Sequence, residues 1–266
     1  MKSKIKKILK RTFNGPPSEI EKLIESASLF PRYKKHEFTF NAMTFMVTDF
    51  LSVAYQLKEF FVEQRMFFPT KNDNPLIYDC GANVGVASIY FKKTYPNSII
   101  KSFEPDAKAF ECLQKNILAN APTGVELFNS AVWINNDGIE FGSEGADGGS
   151  IFFEGNKTKV SSVNLAALLQ NEKHIDLLKM DIEGAEMSVL LSCSDQLHKV
   201  NYLFVEYHSW QKNEQELHKL LQLLTEKGFR YYIQSIGSET KQPFIRHKFE
   251  NGMDIQLDIH AINNNF

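Results

Sequence analysis

One stretch narrows the folds open to this chain more than any other: Leu76-Ile77-Tyr78-Asp79-Cys80-Gly81-Ala82-Asn83-Val84-Gly85, followed at a distance by Phe103-Glu104-Pro105. A short apolar run ends in an acid and a glycine-rich turn, a helix-like segment follows, and a second apolar run ends in another acid. This reads as strand, tight turn, helix, strand, with a carboxylate at each strand end. A unit of this kind holds a nucleoside-type cofactor at the carboxyl edge of a sheet.

Beyond Leu76 strand and helix patterns alternate. Leu76–Asp79, Ser98–Phe103, Val125–Asn129, Ile175–Met180 and Tyr202–Val205 read as strands. Val84–Thr94, Asp106–Asn120, Asn164–Leu169, Glu186–Leu191 and Glu214–Lys227 read as helices. Phe229–Ile233 and Ile255–Ile262 close the pattern as an antiparallel pair. Such alternation gives an α/β sheet covered by helices on both faces. Ile139–Phe141 and Ile151–Phe153 read as a short antiparallel excursion around the glycine-rich segment 142–149. Within it Asp147-Gly148-Gly149-Ser150 is either a ligand-contacting loop or a hairpin turn.

Residues 1–75 are a separate extension in this reading, and 76–266 the cofactor-binding domain. Ser18 and Glu21 form a capping box for a helix ended by Pro31. His36 to Thr48 alternates around Asn41-Ala42 as a hairpin. Phe50 to Phe68 is aromatic and helix-like, and Phe60, Phe61, Phe67 and Phe68 are expected in the core. Lys71-Asn72-Asp73-Asn74-Pro75 is the internal boundary. Met1 to Phe13 carries six basic residues and no acid, with Ile5, Ile8, Leu9 and Phe13 at helical spacing. It has no apolar signal-peptide core. It is either a solvated leader or a basic amphipathic helix for peripheral contact with an anionic membrane surface.

The chain has 266 residues, 43% hydrophobic and 23% charged, an ordinary globular composition. Its net charge of −2 argues against a nucleic-acid binder. Cys80, Cys112 and Cys193 form neither a disulfide framework nor a zinc pattern, and read as reduced, core thiols of a cytoplasmic protein. No apolar run approaches the roughly 20 residues of a membrane span.

The turn Asp79-x-Gly81-x-Asn83-x-Gly85 is close to the dinucleotide pattern G-x-G-x-x-G but departs from it. Gly81 and Gly85 permit tight turning, and Asn83 tolerates positive φ. A carboxylate at Asp79 suits an ammonium group and disfavours a pyrophosphate. That points away from NAD and towards S-adenosyl-L-methionine, whose methionine end carries an ammonium. Glu104 follows Gly85 by roughly the 20 residues at which an acid accepts both ribose hydroxyls.

Taken with Ser102-Phe103-Glu104-Pro105, Ser130-Ala131-Val132, Leu178-Lys179-Met180-Asp181-Ile182-Glu183-Gly184-Ala185-Glu186 and Val205-Glu206-Tyr207-His208, the turn resembles the FkbM-like family of S-adenosylmethionine-dependent methyltransferases. The Lys-x-Asp-x-Glu-Gly-x-Glu block is the specific part, and the match covers about half the chain. The resemblance implies a class I, Rossmann-like methyltransferase: a mostly parallel seven-stranded sheet with helices on both faces, here preceded by a helix and hairpin extension. It also implies O-methylation of a hydroxyl on a sugar, a glycolipid or a small-molecule metabolite. By position, Asp79, Gly81, Ala82, Asn83 and Gly85 are expected at the methionine end of the cofactor, Glu104 at the ribose, Ser130, Ala131 and Val132 at the adenine, and Asp181 near the methyl group.

Methyl transfer to an alcohol needs in-line alignment and removal of a proton. His208, Asp181 and Glu206 are the catalytic candidates, with His208 as the base because it titrates nearest neutrality, and Asp181 positioning acceptor or cofactor. Glu183 and Glu186 start a helix, where acids favour the dipole. Some oxygen methyltransferases of this fold hold Mg²⁺ with acids at the fourth and fifth strand ends, and Asp181 and Glu206 are the residues for that role here. The fifth strand reads Glu-Tyr-His rather than Asp-Asp or Asp-Asn, which disfavours Mg²⁺ dependence without excluding it. A dehydrogenase is disfavoured by the missing G-x-G-x-x-G and Tyr-x-x-x-Lys, and a nucleic-acid amino-methyltransferase by the missing Asn/Asp-Pro-Pro-aromatic motif. A catalytically silent scaffold is the remaining rival, to be separated by cofactor binding.

Overall fold

The structure, a computed structural model, describes residues 18–142, 157–236, 242, 244 and 253–264. The basic leader 1–13, the strand expected at Ile151–Phe153 and the Asp147–Ser150 segment lie outside the described residues.

Helix α1 (Glu19–Leu29) begins at the expected capping box: Ser18 Oγ accepts from the Glu21 amide, and the Glu21 carboxylate accepts from the Ser18 amide. Strands β1 (His36–Phe40) and β2 (Met43–Val47) pair antiparallel. Asn41 and Ala42 both turn at positive φ, 50° and 59°, as a two-residue hairpin turn of the right hand requires. Helix α2 (Phe50–Leu57), capped by Asp49, widens into a π-helical turn over Lys58–Val62. Of the four aromatics here, Phe60 and Phe68 are buried and Phe61 packs against the core, but Phe67 faces solvent.

The main sheet contains β3 (Leu76–Cys80), β4 (Ile99–Phe103), β5 (Val125–Phe128), β10 (Ile175–Met180), β11 (Val200–Trp210), β12 (Phe229–Ser235) and β13 (Met253–Asn263). Its order is β12-β13-β11-β10-β3-β4-β5, with every pairing parallel except those made by β13. The seven-stranded, mostly parallel sheet is therefore as the resemblance implied. Strand β3 has β4 on one side and β10 on the other, so the chain reverses its direction of travel across the sheet at β3. The crevice beyond that switch point is where sheets of this kind bind ligands.

Period-two alternation splits the strands between two cores. Ile77, Ile100, Leu177 and Phe204 join one core, and Tyr78, Phe103, Leu178, Leu203 and Val205 the other. The second core is closed by α5 (Leu165–Gln170), α6 (Glu186–Ser192) and α7 (Leu217–Glu226). The first is closed by α3 (Val86–Thr94) and α4 (Ala107–Asn120) together with α1, α2 and the hairpin. Residues 18–75 thus share a core with the sheet. Two asparagines of α4 fasten the hairpin to it. Asn120 bonds both the amide and the carbonyl of Thr44, and Asn116 bonds both those of Met46. Asn116 also donates to the Val84 carbonyl at 2.8 Å, tying the hairpin to the glycine turn.

Several elements differ from the sequence reading, among them β11, which is 11 residues long where Tyr202–Val205 was expected. Helix α3 starts at Val86, because Gly85 sits at φ 93° and cannot be a helical residue. Strand β7 (Ile139–Phe141) pairs with β8 (Thr158–Val160). Residues 131–133 form β6, parallel to β9 (Ser162–Asn164). The three cysteines are unpaired and buried, as read.

Candidate active site

The glycine turn is held by close approach of two strand ends. Gly81 has φ 82°, and a Cβ placed on it would lie 1.7 Å from the Asp181 carbonyl oxygen. Gly85 has φ 93°, and a Cβ there would meet Leu113 at 2.6 Å. Asn83, at φ 48°, takes the same left-handed region that suits it better than most residues. Only glycines let the β3 turn nest against the end of β10 and against α4.

Beneath this turn, Asp79 faces Lys179 across the parallel pair β3 and β10. Lys179 Nζ lies 3.2 Å from Asp79, 3.3 Å from Asp181 and 2.9 Å from the Gly81 carbonyl. Asp79 also accepts from Ser88 Oγ at 2.6 Å. Burial opposes the charge on Lys179, but Asp79 and Asp181 raise its pKa above the ordinary lysine value. Asp79 is fully buried and braces the turn from below: its carboxylate is paired with Lys179 and accepts from Ser88, while its Oδ1 takes no hydrogen bond.

Glu104 stands as expected at the end of β4. One carboxylate oxygen accepts from the Asn83 amide and the other from the Asp106 amide, each at 2.8 Å. Burial pushes its pKa up to about 7 against the pull of those two amides. Each oxygen keeps a lone pair for a further donor, which suits a cofactor's ribose diol. Asn129 fixes the same corner by donating to the Glu104 carbonyl. The three residues expected at the adenine follow the end of β5. Ala131 and Val132 are buried in β6, Val132 within the core, and only Ser130 is half-buried. The pleat points Val132 inward.

Gly81, Ala82 and Asn83 form one wall of a cleft whose other wall is acidic: Asp181, Glu206, Asp258 and Glu59. Strand β11 runs on beyond the end of β10, so Glu206 and His208 overhang it and pair only with Asp258 and Gln256 of β13. Glu206, His208, Gln256 and Asp258 share one face. Like charges directly opposite on a sheet cost stability, and perturbed acids in a cleft mark functional sites. Burial and then the Glu206 charge push Asp181 up to about 7, and burial with Glu206 and Glu59 does the same for Asp258. Burial raises Glu59 as well. Arg65 reaches Asp258 at 3.3 Å and Glu59 at 3.7 Å, answering part of this charge.

His208 lies behind these acids. Its ring is fully buried, with Nδ1 3.1 Å from Glu186 and Nε2 3.5 Å from Glu206 and 3.6 Å from Glu183. Burial opposes a charge on the ring, yet the three carboxylates hold its pKa well above the ordinary histidine value. A general base must reach the proton it takes, and this ring has no exposed surface from which to do so. Glu186 takes the structural role considered for it. It accepts from the Ile182 and Gly184 amides and pins the loop in which Glu183 adopts φ 57°.

The methyltransferase FkbM domain family matches residues 79–231. The chain belongs to the FkbM methyltransferase family. Among curated relatives, Methyltransferase 1 of Beauveria bassiana (strain ARSEF 2860) is 27% identical over 172 residues, covering 55% of this chain and 69% of the relative. Methyltransferase sdnD of Sordaria araneosa is 26% identical over 188 residues, covering 55% of this chain and 71% of the relative. A crystal structure of methyltransferase FkbM from Methylobacillus flagellatus KT aligns with a TM-score of 0.47 at 15% identity, over 79% of this chain and 54% of that one.

As an FkbM methyltransferase the protein uses S-adenosylmethionine, which supplies a methyl group on a cationic sulfur. The residues fit it: a turn whose Gly81 and Gly85 carry no side chain, a Glu104 carboxylate with lone pairs to spare, and the buried Asn83 Oδ1, which bonds no protein donor. Glu59, Arg65, Gln256 and Asp258 were not singled out from the sequence, and Lys179 entered only as the first residue of the Lys-x-Asp-x-Glu-Gly-x-Glu block, with no role. Only Lys179 carried a signal, since its place two residues before Asp181 puts both on one side of the strand end.

Glu104→Gln is expected to weaken S-adenosylmethionine binding by roughly 10- to 100-fold, the loss of hydrogen bonds to a charged acceptor. Calorimetric titration checks this. It also tests a pH effect: wild-type affinity should fall as pH drops through about 7, where Glu104 takes up a proton, and the variant should lose that dependence.

Proposed function

We propose that the protein is an O-methyltransferase acting on a sugar hydroxyl of a glycan, a glycolipid or a glycosylated metabolite. The observation that carries this reading is the convergence of Asp181 and Glu206 beside the Gly81–Asn83 turn, on the wall facing the expected methyl position. Carboxylates placed there orient hydroxyl groups and favour departure of the proton as oxygen attacks carbon. The remaining wall comes from Gln56, Glu59 and Arg65 of the N-terminal unit, whose hydrogen-bonding groups match a polyhydroxylated acceptor. Choice of acceptor then lies with residues 18–75.

The basic segment 1–13 suits a membrane-borne acceptor, with the enzyme at the inner face of the membrane. Among the described residues no helix is long and apolar enough to cross a membrane. Deleting residues 1–13 should weaken binding to anionic liposomes, and unchanged binding would remove the membrane part of the proposal.

The test of the main reading is transfer of labelled methyl from S-adenosylmethionine into a cell lysate, fractionated by size and lipid extraction. Label in polysaccharide or glycolipid is the expected result. Label recovered only as methylated amine or methylated nucleic acid would overturn it.

A further inference from the structure

We propose that Asp181, Glu206 and His208 form a binding site for a divalent transition-metal ion at the methyl-transfer end of the cleft. The inference rests on the reading of this cleft as the reaction site and adds a ligand to it.

The first observation is geometric. One donor atom from each of the three residues lies within 4.8 Å of the others. Donors held about 2.1 Å from one octahedral ion are separated by no more than about 4.2 Å, so little adjustment is needed to close on it. The ring and the two carboxylates come from a strand overhang and the loop beside it, so their spacing is set by the sheet.

The second observation concerns the ring itself. Its Nδ1 faces Glu186 at 3.1 Å, and Glu186 is fixed by the Ile182 and Gly184 amides. A carboxylate that accepts the Nδ1 proton leaves Nε2 as the donor, the outer arrangement usual for metal-bound histidines. Nε2, on a ring with no exposed surface, points into the acid cluster. Its nearest polar partners stand off at 3.4 Å (Gln256), 3.5 Å (Glu206) and 3.6 Å (Glu183). Those separations are longer than those of good hydrogen bonds, so Nε2 is held by none of them tightly.

The third is charge. Asp181, Glu183 and Glu206 surround one imidazole, with Glu59 and Asp258 on the cleft wall beyond. Lys179 is already divided between Asp79 and Asp181. Mixed imidazole and carboxylate donors favour Mn²⁺, Fe²⁺ or Zn²⁺ over Mg²⁺, which prefers oxygen alone and keeps its waters.

The experiment is a titration of the chelator-treated full-length protein with Mn²⁺, followed by the electron paramagnetic resonance signal of free Mn²⁺. Neither S-adenosylmethionine nor acceptor is present, so the result is independent of whether the acceptor has been named correctly. One saturable site per chain is expected, with at least tenfold weaker Mn²⁺ binding in Glu206→Gln and in Asp181→Asn, and with Mg²⁺ a poor competitor. Glu206 is partly exposed, so Glu206→Gln should remain folded, which circular dichroism confirms. Absence of saturable binding up to millimolar Mn²⁺ would overturn the proposal. So would binding that both variants leave unchanged.

Discussion

Gly81→Ala should abolish S-adenosylmethionine binding and lower the melting temperature by about 10 °C. Two costs combine. The backbone at φ 82° charges a side chain roughly 1–2 kcal/mol for the left-handed conformation. The new methyl would also lie 1.7 Å from the Asp181 carbonyl oxygen, and because that atom is backbone it cannot rotate away. Overpacking of this kind costs about 1–3 kcal/mol. At roughly 2–4 °C per kcal/mol for a domain of this size, the sum gives the stated shift. The turn can escape only by moving away from β10, which takes the cofactor wall with it. A Gly81→Ala protein with wild-type melting and wild-type cofactor affinity would show that the two strand ends do not meet as described.

The second large effect is expected at Lys179. Lys179→Met keeps the aliphatic stem but leaves the fully buried Asp79 with only the Ser88 hydroxyl. Breaking one side of a buried ion pair costs about 3–5 kcal/mol. Denaturant melts should therefore show a large loss, with cofactor affinity falling too, since Lys179 also holds the Gly81 carbonyl. Adding Asp79→Asn to Lys179→Met should recover part of the lost stability, because the unpaired charge is then gone. Strictly additive losses in the double variant would mean that the two residues act separately.

Much of this site was legible from local pattern. Glu104 could be placed from the length of one strand-turn-helix-strand unit, and its carboxylate stands where that length put it. Asp181 and Glu206 were found because each follows an apolar run that could only be a buried strand. Spacing was silent about contacts. Asp79 was read as a ligand group because a sequence does not show that its neighbour across the sheet is Lys179. His208 was read as a base from its intrinsic titration range, while its behaviour depends on Glu183, Glu186 and Glu206 converging on it. That Ala131 and Val132 belong to a further short strand was not legible, because three residues carry too little alternation to show one.

What the sequence determined by itself was order and polarity: alternating apolar runs, glycines at two positions where no other residue fits, and acids at the ends of strands. These are local properties, set by φ preference and by which face each side chain takes. The tertiary structure decided which charges meet. Strand β13 inserts antiparallel beside β11 and brings Gln256 and Asp258 opposite His208 and Glu206. The π-helical turn near residue 60 brings Glu59 to the same cleft, and Arg65 follows it. Those partners are far apart along the chain, and electrostatic energy depends on distance in space and on exclusion of water, neither of which is written in a linear order of residues.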